Sequence, residues 1–241
     1  MLRFSHLFFY MYLLFFLVGC NSGKQLVSDR PTVEPERYNV AFLIMDGVFN
    51  TELTAPYDIF QHTIYREGIK AMNTFIVANT TQPIRTFEGM RILPDYDYTR
   101  EKLPRIDILV VPSAEHHLDS DLEDTVMLEW IKKIDKEAMY VTSHCDGAFV
   151  LAKAGLLDNR ISTTFPSDIA AYKKMFPHLA VKDKVLFVHD GKYITSAGGA
   201  KSFEAALYLC EVLYGKEVAM RLAKGLVIDW DVEQLAKWIE E

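Results

Sequence analysis

The stretch VTSHCDGAF, Val141 to Phe149, sets a thiol, a carboxylate and a glycine side by side where a β-branched apolar run meets an alanine-rich segment. A cysteine at such a hinge can pack, bind a metal or attack an electrophile. If the run is a strand and the segment a helix, helix N–H groups point toward the sulfur of Cys145. Their partial positive charge favours thiolate over thiol, and Gly147 lets the backbone turn without a Cβ clash. Strand, tight turn and helix with the reactive atom at the corner make a nucleophile elbow, with sulfur in place of a serine oxygen. The local pattern leaves that reading open beside a buried structural cysteine, the commoner fate of an isolated thiol. Asp146 either steers a substrate or caps the helix that it begins.

The elements that must position Cys145 alternate along the chain. YNVAFLIM (Tyr38 to Met45), NTFIVAN, IDILVVPS and AMYVTSH read as strands, the continuous apolar runs among them as strands buried on both faces. TELTAPYDIFQHTIYREG reads as a helix with Pro56 in its first turn and Gly68 at its stop. LEDTVMLEWIKKIDKE is an amphipathic helix. QPIRTFEGMRILPDYDY is a β excursion about Glu88-Gly89, and VLFVHDGKYITSAG is a hairpin turning on Asp190-Gly191. AKSFEAALYLCEVLYG, KEVAMRLAKGL and DVEQLAKWIEE close the chain as helices. This alternation predicts one α/β domain over residues 38–241, with a parallel sheet covered by helices on both faces. In such sheets ligands gather at the carboxyl ends of the strands.

Ahead of that domain, MLRFSHLFFYMYLLFFLVGC carries Arg3, an apolar run from Leu7 to Val18, and then Gly19-Cys20. That is the pattern of a secretory signal over residues 1–19, and it falls short of the roughly 20 apolar residues that span a membrane. Leu17-Val18-Gly19-Cys20 resembles a bacterial lipoprotein lipobox, so Cys20 is expected to carry lipid and hold the protein at a membrane of the cell envelope. Residues 20–37 read as a flexible tether. With 26 basic residues against 33 acidic, the net charge is −7, which argues against a nucleic-acid partner. The sequence has neither CxxC nor HExxH, and no metal or other cofactor is expected. Cys210, three residues after Leu207 and seven after Phe203 on an apolar helical stripe, reads as core.

Four stretches together resemble the ThiJ/PfpI superfamily, flavodoxin-like α/β proteins related to class I glutamine amidotransferases. They are ELTAPYDIF (Glu52 to Phe60), IDILVVPS (Ile106 to Ser113), SHCDGAFVLAKAGLLDNRISTT (Ser143 to Thr164) and YITSAGGAKSFEAALYL (Tyr193 to Leu209). The resemblance implies a flavodoxin-like parallel sheet sandwiched by helices, with Cys145 as the elbow nucleophile. It implies that Glu52 is the acidic residue that reaches the sulfur. It also implies that the loop at Ser113 and Ala114, with Asp146 and Gly147, supplies backbone donors to a substrate or developing oxyanion. The form of the elbow resembles the isonitrile hydratase branch and the amidase-like domains of AraC-type regulators.

This chain departs from the pattern at three places. Ser113-Ala114 stands where many relatives carry Gly-Gly, Asp146 follows the cysteine where some carry histidine, and Phe165-Pro166 replaces a His-Trp pair. A Cys-His-Asp protease is therefore disfavoured. His116 and His117 are expected to overhang the pocket. His144 should pack on the other face by strand alternation, and His189 reads as a turn residue. The expected function is a membrane-anchored, cysteine-dependent hydratase or hydrolase whose partner is a small electrophilic molecule. A homodimer is left open, and the alternative is a non-catalytic thiol-based sensor or stress-protection protein of the same fold.

Overall fold

The computed structural model describes residues 30–240. The signal-type segment, the expected lipidation site Cys20 and the first part of the tether lie outside the described residues. The strands, in chain order, are β1 (Tyr38–Leu43), β2 (Met72–Ala78), β3 (Ile84–Arg85), β4 (Arg91–Ile92), β5 (Tyr96–Asp97) and β6 (Ile108–Val111). There follow β7 (Tyr140–His144), β8 (Ile161–Ser162), β9 (Ala180–Val181), β10 (Phe187–Asp190), β11 (Tyr193–Ser196) and β12 (Lys237–Glu240). Eight of them form one sheet in the order β12-β10-β11-β7-β6-β1-β2-β5. Every neighbouring pair is parallel except β10 and β11, the hairpin that turns at Gly191. The mostly parallel, flavodoxin-like α/β sheet expected from the sequence is the one found.

Side-chain alternation splits the core in two. Val40, Phe42, Ile108 and Val110 face one layer, made of α1 (Asn50–Gln61), α5 (Ser202–Tyr214) and α6 (Lys216–Gly225). Ala41, Leu43, Leu109 and Val111 face the other, made of α2 (Thr125–Asp135), α3 (Gly147–Lys153) and α4 (Ile169–Met175). Strands with an apolar residue at every position are what two covered faces require. Cys210 is fully buried on α5 in the first layer, as its spacing predicts.

Three expectations change. DVEQLAKWIEE is a helix only for the single 3-10 turn Val232–Gln234, after which β12 adds to the edge of β10. Asp231 closes that turn on itself, accepting from Glu233 N–H and Gln234 Nε2 (3.1 and 2.7 Å), and the open edge of β10 offers a ladder that a further helical turn would forgo. Pro56 lies inside α1 rather than in its first turn. It lacks the N–H that would bond the carbonyl of Glu52, four residues back. Residues 30–37, read as flexible tether, lie against the domain instead. Arg30 pairs with Glu101 at 2.7 Å, and Glu34 exchanges two hydrogen bonds with Asn73 (3.2 and 2.9 Å).

Replacing Cys210 with serine puts a hydroxyl among apolar neighbours. It should cost about 1–3 kcal/mol in urea unfolding while leaving the alkylation rate of Cys145 unchanged.

Candidate active site

Cys145 sits between β7 and α3 with φ +53°, in the left-handed region that non-glycine residues seldom occupy. A strain of about 1–3 kcal/mol is expected there, and the neighbours hold it in place. Cys145 N–H donates to the Ser196 carbonyl at the end of β11 (3.0 Å), and the Thr164 hydroxyl donates to the Cys145 carbonyl (3.1 Å). Gly198, at φ +75°, lies so close that a Cβ there would stand 2.4 Å from the Cys145 Cβ. A Cβ on Gly147 would stand 2.1 Å from the Val111 carbonyl oxygen, which is how closely α3 seats on β6. The elbow read from the sequence is therefore formed, and two glycines make room for it.

Glu52 lies in the first turn of α1 and is buried. Its Oε1 accepts from Gly199 N–H at 2.9 Å, tying α1 to the segment that precedes α5. Among the described residues, the carboxylate that meets the sulfur is Asp146, whose Oδ2 accepts from Cys145 Sγ at 3.7 Å. Glu52 acts on the thiol through its charge. The Asp146 side chain makes no capping bond to α3. Its Oδ1 accepts instead from the Thr164 hydroxyl at 3.0 Å. The capping reading of Asp146 is thereby replaced by a contact with the thiol.

The loop after β6 differs from the expected donor set. Ala114 N–H is taken by Nδ1 of His117 (3.2 Å), and Glu115 N–H by the Gly47 carbonyl (3.0 Å). The side chain of Ser113 fills the gap. Its hydroxyl is fully buried beside Cys145, where it favours the thiolate. Asp146 N–H is the backbone donor that serves the sulfur.

His117 lies beneath the elbow and does not overhang a pocket. It is wholly buried, with Nε2 at 3.0 Å from Met45 Sδ and 3.8 Å from Asp121 Oδ2. Accepting at Nδ1 places its proton on Nε2, and burial holds its pKa down to about 3, so the ring stays neutral. His116 points outward and pairs with Asp119 at 3.3 Å. His144 is buried and bonded to the Ser196 hydroxyl (3.1 Å), as strand alternation requires. His189 is in β10 rather than in a turn, and its Nδ1 meets the Tyr208 hydroxyl at 2.7 Å.

The thiol itself is not pre-ionised. Burial pushes the Cys145 thiol far above its ordinary range, the charges of Asp146 and Glu52 add to that, and the Ser113 hydroxyl and Asp146 N–H only partly offset it. Burial and the two carboxylates thus oppose the pull of the helix end toward thiolate. Residue 145 is 6% exposed, and a cleft of about 840 Å³ lined by Lys201, Glu204, Arg221 and Trp230 does not include it.

With this geometry in hand, comparison with known proteins is direct. The DJ-1/PfpI family model matches residues 38–212. The chain belongs to the DJ-1/PfpI family. Over 183 residues it is 30% identical to isonitrile hydratase from Pseudomonas putida, covering 75% of this chain and 74% of that one. It is 31% identical over 146 residues to the HTH-type transcriptional regulator CdhR of Pseudomonas aeruginosa, but these span 61% of this chain and only 42% of the regulator. The crystal structure of Drosophila melanogaster DJ-1beta superposes with a TM-score of 0.70 at 21% identity, covering 80% of this chain and all of that one. That last likeness is one of fold. The family thus holds both enzymes and regulators.

Sequence reasoning missed the Thr164 hydroxyl, the side chain of Ser113 and the close approach of Gly198. Thr164 and Gly198 stood inside the stretches that carry the family resemblance.

Iodoacetamide should alkylate native Cys145 at pH 7 at least about tenfold more slowly than free cysteine, whose thiol pKa is about 8.5, with Cys145→Ser as the blank. Gly147→Ala should destabilise the fold by roughly 1–3 kcal/mol or more, read by thermal unfolding, because helix and strand must part to admit the methyl.

Proposed function

We propose that this protein is a cysteine-dependent hydratase or hydrolase for small uncharged electrophiles, isonitriles first among them, held at the cell-envelope membrane through a lipid on Cys20. The observation that carries the enzymatic reading is the buried left-handed Cys145, whose Sγ meets the Asp146 carboxylate and has the buried Ser113 hydroxyl as a neighbour. The identity to an isonitrile hydratase over three quarters of each chain supports the choice of substrate. The small exposure of Cys145 supports it too, since the terminal carbon of an isonitrile is the tip of a linear group. The lipid anchor is supported by the Leu17-Val18-Gly19-Cys20 ending alone.

The reaction adds water to R–N≡C to give the formamide R–NH–CHO. Cys145 sulfur attacks the terminal carbon while the thiol proton leaves to a nearby carboxylate and is delivered to that carbon, giving the thioimidate R–N=CH–S–Cys145. Water then adds to the same carbon and the nitrogen takes a proton. The C–S bond breaks, and the sulfur recovers its proton as the formamide departs. Ser113 hydroxyl and Asp146 N–H donate to negative charge on sulfur and on the adding oxygen. Glu52 holds Gly199 in place and keeps the field around the thiol negative.

An assay of isonitriles, glyoxals and small amides tests this. Cys145→Ala should abolish turnover and keep the wild-type circular dichroism spectrum; full activity in that variant would sink the proposal. Ser113→Ala should lower kcat by about 10²-fold, the usual loss of one such donor. With the charges of Glu52 and Asp146 bearing on the thiol, an isonitrile bearing a carboxylate should be turned over far more slowly than its neutral ester. Tight binding without product would favour the sensor reading instead. Metabolic labelling with a fatty acid should mark the wild type and spare Cys20→Ala.

A further inference from the structure

Beyond the carboxyl end of β2 the chain throws out the hairpin β3–β4, whose tip exposes apolar side chains. Phe87 and Met90 are 54% and 55% exposed on either side of the turn Glu88-Gly89, and Leu93 just after β4 is exposed as well. Arg85 and Arg91 stand directly opposite each other across the hairpin. Like charges so placed repel, and none of the ion pairs among the described residues involves either guanidinium. Glu88, the acid of the turn, is drawn back onto α1, where its carboxylate accepts from Asn50 N–H at 3.1 Å. The tip is thus apolar and cationic in a chain whose net charge is −7. It is also fastened to the elbow's surroundings. Phe87 N–H donates to the Val48 carbonyl (3.0 Å), and its ring lies 4.6 Å from that of Phe49, whose N–H donates to the Ser113 carbonyl (3.0 Å).

The docked part of the tether points to what this tip meets. Going back along the chain, its contacts pass from Glu34 on Asn73, the second residue of β2, to Arg30 over the ring of Tyr96. Tyr96 pairs with Val77, near the end of β2. The segment therefore runs along the sheet edge toward the end that carries the hairpin. Only Asn21 to Asp29 separate Arg30 from Cys20, a reach of roughly 35 Å at most, while a domain of this size has a radius of gyration of about 17 Å. The leash leaves from the hairpin side, and one so short brings that side to the bilayer. We propose that the β3–β4 hairpin is a membrane-docking tip, with Phe87 and Met90 entering the headgroup layer of a phospholipid bilayer and Arg85 and Arg91 binding its phosphates. This deepens the membrane-held reading and rests on it. An exposed apolar patch rimmed by cations suits an anionic lipid surface, and the phosphates relieve the Arg85–Arg91 repulsion. Docked in this way, the domain turns the carboxyl ends of its strands, and with them the Cys145 corner, toward the lipid.

The test uses the full chain, purified from membranes and reconstituted into vesicles of phosphatidylethanolamine and phosphatidylglycerol with bromine on the acyl chains. The tryptophan introduced by Phe87→Trp should lose at least about half of its added emission relative to unbrominated vesicles, since tryptophan settles at the membrane interface. Glu137→Trp, exposed in the loop before β7 at the amino ends of the strands, should lose none. Adding Arg85→Glu and Arg91→Glu to Phe87→Trp should remove most of the quenching, with circular dichroism to check the fold. Equal quenching at the two positions, or none at residue 87, overturns the proposal. A second copy seated on the hairpin would shield residue 87 from bromine and let Phe87→Cys form a disulfide with its own counterpart, and that result overturns it too. If fatty-acid labelling fails at Cys20, the lipid anchor fails separately, and the quenching at residue 87 still decides whether the hairpin enters the bilayer.

Discussion

The site depends on one residue held in a conformation it would not choose. Cys145 is left-handed at the corner of β7 and α3, and its backbone is pinned from both sides by Ser196 O and the Thr164 hydroxyl. The corner can be this sharp because Gly198 and Gly147 carry no Cβ where one would collide with Cys145 itself and with the Val111 carbonyl. The constraint is therefore shared by β6, β7, β11 and the segment entering α5. None of these can shift alone without freeing the cysteine to relax toward ordinary φ and draw its sulfur away from Asp146. Strain of this size persists only where the surroundings over-determine it, and here four separate pieces of chain do so.

Electrostatics at that corner is a contest whose outcome the magnitudes decide. A helix N-terminus contributes about 0.3–1 kcal/mol toward an anion in exposed settings, rising to about 2 kcal/mol when partly buried. α3 is only seven residues long. Against it stand burial, which costs an unpaired charge several kcal/mol, and the carboxylates of Asp146 and Glu52. Burial and like charge win, and the sulfur rests as a thiol. Reactivity must then come from moving a proton at the moment of attack. That is why the nearest carboxylate matters more here than the helix dipole.

The fold was legible in the sequence because its signals are long and redundant. Doubly buried strands such as VAFLI and ILVV can sit only in a sheet covered on both faces, and Asp190-Gly191 marked the antiparallel turn of the eight-stranded sheet. Local pattern failed where a tertiary contact overrode it. The last segment has helical composition, yet Asp231 stops it after one turn and the edge of β10 takes it as a strand. At the site, the positions that do chemistry stood out by residue type and motif, so Cys145, Glu52 and Ser113 were all named. Their roles were not, because roles depend on which atom meets which. Glu52 was expected on the sulfur and instead clasps Gly199, while Asp146 was weighed as a cap and instead meets the thiol.

The departures from the family pattern make sense as a set. His117 is buried behind the loop after β6 and takes up the Ala114 N–H. A glycine at 113 would leave that loss uncorrected, whereas serine returns a donor from its side chain. Likewise, histidine is absent both after the cysteine and after the Thr163-Thr164 pair, so the usual neutral-pH base is missing. A lone aspartate would be a weak base near neutrality, with an ordinary pKa of about 3.9. Burial and a second carboxyl raise Asp146 to about 6, within reach of the range where a proton carrier works best near neutral pH. Serine for glycine thus supplies a side-chain donor beside the thiol where the Ala114 N–H is already taken.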